Sequence, residues 1–350
     1  MARLGSEWAD MGATPRAESW RGMRSLRADP PGLAVGDRKA TFVMALEQAE
    51  QLFIAAENTG PAARPLPLFY GLSQAGRALL ATKVPGDPWR PRSHGIGEVR
   101  GGVAAPTVAD FEVEPKKFGA FPMVAQALSS SGLRGPTRLG DLWTLLPDTS
   151  RFEIPKSGPH RLLNVVADSY RTDGTIEVEL SGLPPHLGVP RSPDDDPSGV
   201  RSDWGEEEAR VRDFLSHYPS LTGLRFATGG GQPIGFVPMS GGTARVTALW
   251  SEGPEGPRTT GEVTRLVATS YAGYDMAYPC LDGGDRPLHP LTVWWAVLFG
   301  LSVLARYEPE TWGRAIDVNG SREAVALEYI LEAALDSVPE LLYRVFTGDA

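Results

Sequence analysis

The sequence of 350 residues contains a single cysteine, Cys280, which excludes an internal disulfide bond. Disulfides are typical of secreted proteins, so their exclusion favours a reducing compartment. The apolar context YPCL around Cys280 indicates a buried thiol rather than a nucleophile. The N-terminal stretch MARLGSEWADMG also lacks the apolar segment of a signal peptide. Both absences predict a cytoplasmic protein.

No apolar run in the sequence is long enough to cross a membrane. The longest extends from Leu291 to Ala305 and ends at Arg306, whereas a transmembrane helix needs about 20 apolar residues. We therefore predict a buried core helix at this position and no membrane partner.

The sequence also has no excess of basic residues, and its formal net charge is −9. A general electrostatic grip on nucleic acid needs a basic surface, so this class of binding is excluded, while a local basic pocket is not. The hydrophobic content of 41% and charged content of 22% are typical of a soluble globular protein.

Common motifs for metal and phosphate binding are absent as well. The five histidines are scattered without a cysteine or carboxylate cluster, which argues against zinc. The run Asp194-Asp195-Asp196 lacks EF-hand spacing and predicts a solvated loop. The segment GGGQP at 229–233 lacks the Gly-Lys-Ser/Thr ending of a P-loop and predicts a hairpin turn. We expect neither a metal nor an organic cofactor.

Helices are predicted at both ends of the chain. Apolar residues at three- and four-residue spacing predict helices over 41–58, 66–82, 290–307 and 322–336, and a shorter helix lies around Trp20. Each long helix has an apolar face that needs a partner, so we expect the four to pack together. Gly76 predicts a close approach of another helix.

Strand patterns occupy the middle of the chain. Apolar and β-branched runs predict strands over 162–166, 175–180, 223–227, 234–238, 244–250 and 262–268. The first two are joined by Thr172-Asp173-Gly174, a hairpin signal, and a short helix is predicted over 206–217. The predicted fold is therefore α+β. A helical N-terminal part (1–150) and C-terminal helices (286–350) form one helical core, interrupted by a β-rich insertion (151–285).

The second predicted helix carries a polar stripe of three residues. Tyr70, Gln74 and Arg77 are spaced i, i+4 and i+7, opposite the apolar face. The planar fork of Arg77 suits a phosphate or carboxylate ligand. The alternative is an ordinary solvent-facing stripe, or an arginine paired with a carboxylate.

His94 is the strongest single candidate for a functional histidine. It lies in a loop with Arg90, Arg92 and Arg100, and loops carry function more often than core elements do. Nearby guanidinium groups would lower the pKa of its imidazole, which suits a neutral base; the alternative is a structural histidine bonded to backbone. Arg306 belongs to this site only if the two ends of the chain converge, and otherwise complements a helix dipole. His289 is predicted to cap the helix that follows it.

The segments FYGLSQAGRALLA, SHGI, HPL and LARYEPETW together resemble the bacterial YaaC-like proteins. The resemblance covers roughly Trp20 to Phe346 and implies a fold rather than a particular reaction. More distantly, the first segment and its His-Gly loop are similar to the second helix and following loop of HEPN domains. These are small helical bundles, many of which are RNases or partners of nucleotidyltransferases.

HEPN nucleases carry an arginine followed, four to six positions later, by a histidine, and Arg212 to His217 matches that spacing. The resemblance implies a metal-independent RNase in which His217 is the general base or acid and Arg212 holds the scissile phosphate. Residues at i and i+5 are about 140° apart on a helix, so they share a site only if the helix ends near Leu215. The alternative is a chance match in an arginine-rich chain.

Three functions remain open. The first is binding of a nucleotide, an RNA end or another phosphate-bearing ligand in a pocket formed by Tyr70, Gln74, Arg77, His94 and Arg306. The second is a non-enzymatic module whose polar stripe contacts a partner protein. The third is an RNase of a defence or toxin system, which uses Arg212 and His217, or His94 with its neighbouring arginines.

Overall fold

The structure is a computed structural model of an α+β protein. It describes residues 15–99, 107–159, 161–168, 176–188, 204–226, 236–239, 242–250, 259–271, 273–281 and 286–348. The chain divides into two compact units, which we call the helical unit (Met1–Pro159 with Leu288–Ala350) and the sheet unit (His160–Pro287). Arg100, the Thr172-Asp173-Gly174 turn, the Asp194-Asp195-Asp196 run and the segment 229–233 lie outside the described residues.

The helices and strands of the described residues are numbered in chain order. The helices are α1 (Pro15–Leu26), α2 (Asp37–Glu57), α3 (Pro65–Lys83), α4 (Ala120–Ala127), α5 (Leu139–Trp143), α6 (Trp204–Leu215), α7 (Thr260–Val267), α8 (Pro290–Tyr307), α9 (Pro309–Ala315) and α10 (Ala324–Thr347). The strands are β1 (Ile96–Glu98), β2 (Glu112–Pro115), β3 (Thr137–Arg138), β4 (Leu163–Asp168), β5 (Ile176–Leu183), β6 (Leu224–Phe226), β7 (Val237–Met239), β8 (Thr243–Trp250), β9 (Thr269–Tyr271) and β10 (Tyr274–Ala277).

The core of the helical unit is built from α2, α3, α8 and α10. Helix α3 packs against α2 on one side and α8 on the other, and α10 contacts all three. Phe69 of α3 meets Phe299 of α8 edge to face, with ring centroids 5.3 Å apart. The prediction that the four long helices pack together is confirmed.

Helix α8 is the most deeply buried element of this unit. Its residues from Pro290 to Leu304 are all buried, and a Cβ atom added to Gly76 of α3 would lie 2.5 Å from Cη2 of Trp295. The predicted close approach at Gly76 is therefore confirmed. Among the described helices, α8 is long and apolar enough to span a membrane, but 83% of it is buried inside the protein. This burial is that of a core helix, as predicted.

The last helix is longer than the sequence pattern predicted. The predicted helix ends at 336, shortly before Pro339, and a proline inside a helix removes a hydrogen bond and usually ends it. Helix α10 instead continues through Pro339 to Thr347, and the added turns bury more apolar residues. One of them, Phe346, packs edge to face on Phe42 of α2 with ring centroids 5.4 Å apart. Core packing therefore outweighs the local preference of the proline.

A small antiparallel sheet, β1-β2-β3, follows α3 in the helical unit and was not predicted. Its strands have four residues or fewer, so they show no readable alternation of apolar and polar residues. The sheet matters for the site because β1 directly follows the loop that contains His94.

The sheet unit contains a seven-stranded sheet in the order β6-β8-β5-β4-β10-β9, with β7 also pairing with β8. All pairings given for this sheet are antiparallel. Helices α6 and α7 contribute Val211, Val263 and Val267 to the apolar core beneath it. Most of the predicted strands are present, with shifted ends.

The predicted strand over 262–268 is wrong, because this segment forms helix α7. The hydroxyl of Thr259 accepts a hydrogen bond from the Glu262 N–H, and the Glu262 carboxylate accepts one from the Thr259 N–H. This capping box starts the helix, and Val263 and Val267, four residues apart, then face the core together. The β-branched valines suggested a strand, but their spacing is helical.

Candidate functional site

The loop that carries His94 is fixed by the first turn of α4. The carbonyl oxygens of Ser93 and His94 accept hydrogen bonds of 2.9 Å from the N–H groups of Ala120 and Phe121. The first N–H groups of a helix have no hydrogen-bond partner within the helix. These bonds therefore provide acceptors for two N–H groups of α4 and also hold the loop in place. Gly95 has a φ of +75°, and a Cβ there would lie 2.6 Å from Pro122 Cδ. Gly95 is therefore a structural requirement of this loop.

The imidazole of His94 is half-buried against α3. Its ring centroid lies 5.2 Å from that of Phe69 and 6.0 Å from that of Tyr70, and Ser73 Oγ is 3.4 Å from Nδ1. Burial and then the charges of Arg77 and Arg306 lower the pKa of His94 below its usual 6.5. The ring is therefore neutral at pH 7, with the two guanidinium groups close enough to act on it. The direction of the shift is as expected, and among the described residues the cations responsible are Arg77 and Arg306 rather than Arg90 and Arg92 of the loop.

Arg306 joins this cluster from the other end of the chain. Its Nη1 donates a hydrogen bond of 2.5 Å to the hydroxyl of Tyr70, and its guanidinium carbon lies 4.3 Å from the ring centroid of Tyr307. Arg306 is exposed at the last turn of α8, whereas Tyr70 is half-buried on α3. The structure thus brings Tyr70, His94 and Arg306 together, and Arg77 lies within electrostatic reach of the imidazole.

Gln74 and Arg77 line a groove of 560 Å³ on the surface between α2 and α3. Helix α2 contributes one face to the groove, and Arg90 reaches it from the loop after α3. The lining residues from α2 are Asp37, Ala40, Thr41, Met44, Ala45 and Gln48. Tyr70, His94 and Arg306 do not line this groove, so the predicted pocket is split into the groove and the neighbouring His94 cluster. Arg77 belongs to both.

A second groove of 950 Å³ adjoins the first and shares Asp37 and Arg90 with it. Its walls are formed by Leu33, Val35, Arg38 and the loop residues 85–92. Trp89 is buried, and the guanidinium groups of Arg38 and Arg90 each lie 4.8 Å from its ring centroid. Both arginines therefore stack on one indole at the junction of the grooves.

The arginines around the two grooves differ in what holds them. Arg38 is structural, because it donates hydrogen bonds to the carbonyl oxygens of Val84 at 2.6 Å and Gly86 at 2.5 Å. Arg77, Arg90 and Arg92 form no ion pair with a carboxylate among the residues that the structure describes. Unpaired guanidinium groups around a concave surface are suited to bind a phosphate or carboxylate.

Arg212 and His217 lie in the sheet unit, where each has an ordinary structural partner. Arg212 is exposed on α6 and forms an ion pair of 2.5 Å with Glu208 at i,i+4 spacing. His217 is exposed just beyond the end of α6, with Nδ1 3.1 Å from the carbonyl oxygen of Phe214. Helix α6 does end at Leu215, as sharing a site requires. Their use in an RNase stays a prediction.

His289 acts as a cap, as predicted. Its Nδ1 accepts a hydrogen bond of 3.1 Å from the N–H of Leu291 in the first turn of α8. Burial, with a smaller effect of Lys83, lowers the pKa of His289 to about 4. A neutral ring is what an accepting Nδ1 requires. Among the described residues, no group of three His, Cys, Asp or Glu side chains is placed to hold a metal ion.

Sequence reasoning missed the contribution of α2 to the groove. Its predicted start at residue 41 left out Asp37, although Asp37, Thr41, Met44 and Gln48 recur at three- and four-residue spacing. That spacing places them on one helix face, so a polar second face could have been read from it. Which face stays uncovered, however, depends on packing.

Comparison with known proteins identifies a family. A protein-family model described as YaaC-like Protein matches residues 20–346. No curated protein and no solved structure matches the chain.

Proposed function

The chain belongs to the YaaC-like family, and we propose that it binds a phosphate-bearing ligand in the groove between α2 and α3. The observation that carries the proposal is the pair Arg77 and Arg90, which line the groove and have no carboxylate partner among the described residues. An isolated guanidinium beside a concave surface gains a charge-assisted, often bidentate, pair when an anion binds.

The His94 cluster supports the same proposal. Arg77 and Arg306 both place positive charge near a half-buried neutral imidazole. An anion bound between these two guanidinium groups would offset their charge, and the hydroxyl of Tyr70 already orients Arg306. The groove and the cluster therefore act as one anion-binding surface with Arg77 in common.

The overall charge limits how a nucleic acid would bind here. A formal charge of −9 repels a long polyanion, so phosphate contacts must be few and local. A nucleotide, the end of an RNA or another small phosphate-bearing molecule meets this requirement. An RNA strand that is bound along its length does not, because it needs many phosphate contacts.

The test is titration calorimetry with inorganic pyrophosphate, a probe that needs only phosphate contacts. We expect Arg77→Gln to weaken binding by about tenfold or more, because hydrogen bonds to charged groups contribute about 1.5–3 kcal/mol. Arg265→Gln, which removes an exposed arginine of the sheet unit that belongs to no candidate site, is the matched control and should leave the affinity unchanged. Absence of pyrophosphate binding, or equal affinity in Arg77→Gln, would refute the proposal.

A protein-interaction module is a second candidate, favoured by the apolar residues at the same grooves. Leu33, Val35 and Met44 line them and are 42%, 72% and 59% exposed. Exposed apolar side chains beside unpaired arginines are typical of a surface that binds another protein. This candidate takes first place if no phosphate compound binds.

A HEPN-like relationship of the helical core is a further proposal. It is supported by the hairpin of α2 and α3 followed by a His-Gly loop. The RNase function implied by that relationship rests on the spacing of Arg212 and His217, or on His94 with its neighbouring arginines. It requires RNA cleavage in EDTA that His217→Ala or His94→Ala abolishes.

A further inference from the structure

The groove between α2 and α3 contains a carboxylate that an anion site alone does not need. Asp37 lines both adjoining grooves, together with Arg90, and its side chain is exposed. A carboxylate in the first turn of a helix complements the dipole, which explains a negative charge at this position. It does not explain why this side chain faces a groove lined by arginines.

The carboxylate of Asp37 is also unused among the residues that the structure describes. No hydrogen bond or ion pair engages it among the described residues, and Gly36, which precedes α2, makes no side-chain cap. An ionised carboxylate is an acceptor only, with two oxygens that can each take a hydroxyl hydrogen. Asp37 is therefore free to accept hydrogen bonds from two neighbouring hydroxyl groups of a ligand.

The remaining lining supplies a place for a flat, partly apolar group. Met44 presents a polarisable thioether in the groove, and Ala40 and Ala45 leave room beside it. Gln48 of α2 and Gln74 of α3 bring amide groups, which can both donate and accept hydrogen bonds. The volume of 560 Å³ is within the usual range of about 300–1,000 Å³ for small-ligand sites.

We propose that this groove binds a ribonucleotide, with its phosphate on Arg77 and Arg90, its ribose hydroxyls on Asp37 and its base against Met44. The inference rests on the proposed function, since it uses the same phosphate contact. Beyond the phosphate, the inference specifies that the ligand also contains a ribose and a base. Each part of the ligand meets the side-chain chemistry that recognises it: guanidinium for phosphate, carboxylate for the diol, and thioether and amides for the base.

The same carboxylate argues for a single nucleotide rather than an RNA chain. Further phosphates along a strand would have to pass Asp37 and Asp87, the carboxylates that line the grooves, on a protein of net charge −9. A deoxyribonucleotide would leave one oxygen of Asp37 without its hydroxyl partner. The groove therefore selects for ribose through Asp37 and for phosphate through the arginines.

The experiment compares ligands on the unmodified chain of 350 residues, so that no variant has to fold. Titration calorimetry is carried out with the four ribonucleoside monophosphates, their 2′-deoxy counterparts, the free nucleosides and inorganic pyrophosphate. We expect at least one ribonucleotide to bind more tightly than pyrophosphate, and its 2′-deoxy form to bind about tenfold more weakly, a loss of about 1.4 kcal/mol.

Two conservative variants then assign the contacts. Asp37→Asn should reduce the ribose preference to about twofold or less, while Arg77→Gln should reduce the preference for nucleotide over nucleoside by about tenfold, with Arg90 still in place. Circular dichroism confirms that both variants remain folded. If pyrophosphate binds through Arg77 but nucleotides bind no better, or if the ribo and deoxy forms bind equally, the ribonucleotide inference is overturned while the phosphate site stands. If neither pyrophosphate nor any nucleotide binds, both proposals fall.

Discussion

The guanidinium of Arg306 and the hydroxyl of Tyr70 meet at 2.5 Å across a separation of 236 residues. Tyr70 lies on α3 with its ring near the imidazole of His94, and Arg306 lies in the last turn of α8. The contact therefore places a positive charge from the C-terminal part of the chain beside a histidine of the N-terminal part. The electrostatics of His94 depend on how the helical unit is assembled from both ends of the sequence.

Removing this guanidinium should raise the pKa of His94. Arg306 is one of the two cations that lower it, so Arg306→Gln should move the pKa of His94 upward, towards the usual value of 6.5. A ¹H–¹⁵N or ¹H–¹³C NMR titration of the imidazole measures the change. Arg212→Gln, in the sheet unit, is the control and should leave this pKa unchanged. A pKa that does not respond to Arg306→Gln would contradict the arrangement described above.

When an anion binds near Arg77 and Arg306, His94 should take up a proton. A bound anion offsets the charges of Arg77 and Arg306, so the pKa of His94 is higher in the complex than in the free protein. Affinity therefore increases as the pH falls through the pKa of the complex, and levels off below the pKa of the free protein. Uptake of one proton limits the change to about tenfold per pH unit.

Sulfate is the right probe for this effect, because it does not itself titrate between about pH 5 and 8, where histidine does. Its affinity, measured by titration calorimetry across that range, should rise towards low pH in the unmodified protein. In His94→Gln the affinity should be nearly independent of pH. A rise of equal size in both proteins would assign the proton to another group.

The helices were predictable because their signal is local. Leu68, Phe69 and Leu72 are buried on one face of α3, and such a face predicts a helix wherever it packs. The stripe of Tyr70, Gln74 and Arg77 was read from the same periodicity. Its convergence with Arg306 was not, because that contact depends on the packing of α3 against α8.

The parts that escaped prediction depend on distant partners. Strand β3 has two residues, and it is a strand only because Thr137 pairs with Val113 of β2. The groove likewise exists because the face of α2 that starts at Asp37 is left uncovered beside Arg90. Neither the strand pairing nor the uncovered helix face can be recognised from a local pattern of residues.

Gly76 should be intolerant of any side chain. A Cβ there would lie 2.5 Å from Cη2 of the fully buried Trp295, so Gly76→Ala overpacks the contact between α3 and α8. Overpacking typically costs about 1–3 kcal/mol, which outweighs the better helix propensity of alanine. Gly313→Ala in α9 is the matched control, because a Cβ there meets open space and should stabilise by about 0.5–1 kcal/mol. Urea unfolding of both variants measures the difference, and equal stability would contradict the close approach.

The cap at His289 should make the stability of the helical unit depend on pH. The pKa of His289 is about 4 in the folded protein and about 6.5 in the unfolded chain. Between these values the unfolded chain binds more protons, so the free energy of unfolding decreases as the pH falls from about 6.5 to about 4. The loss is on the order of 3 kcal/mol, since one pKa unit corresponds to about 1.4 kcal/mol.

Two substitutions at this position separate the cap from the titration. His289→Asn keeps an N-cap acceptor without an ionisable ring, so it should stay within about 1 kcal/mol of the unmodified protein at pH 7.5 and lose less stability towards pH 5. His289→Ala also removes the titration but leaves the Leu291 N–H without its acceptor, which costs about 0.5–2 kcal/mol at pH 7.5. Urea unfolding at several pH values gives both quantities. If His289→Asn declined towards pH 5 as steeply as the unmodified protein, the slope would belong to carboxylates elsewhere, and His289 would not be held neutral by its place at the start of α8.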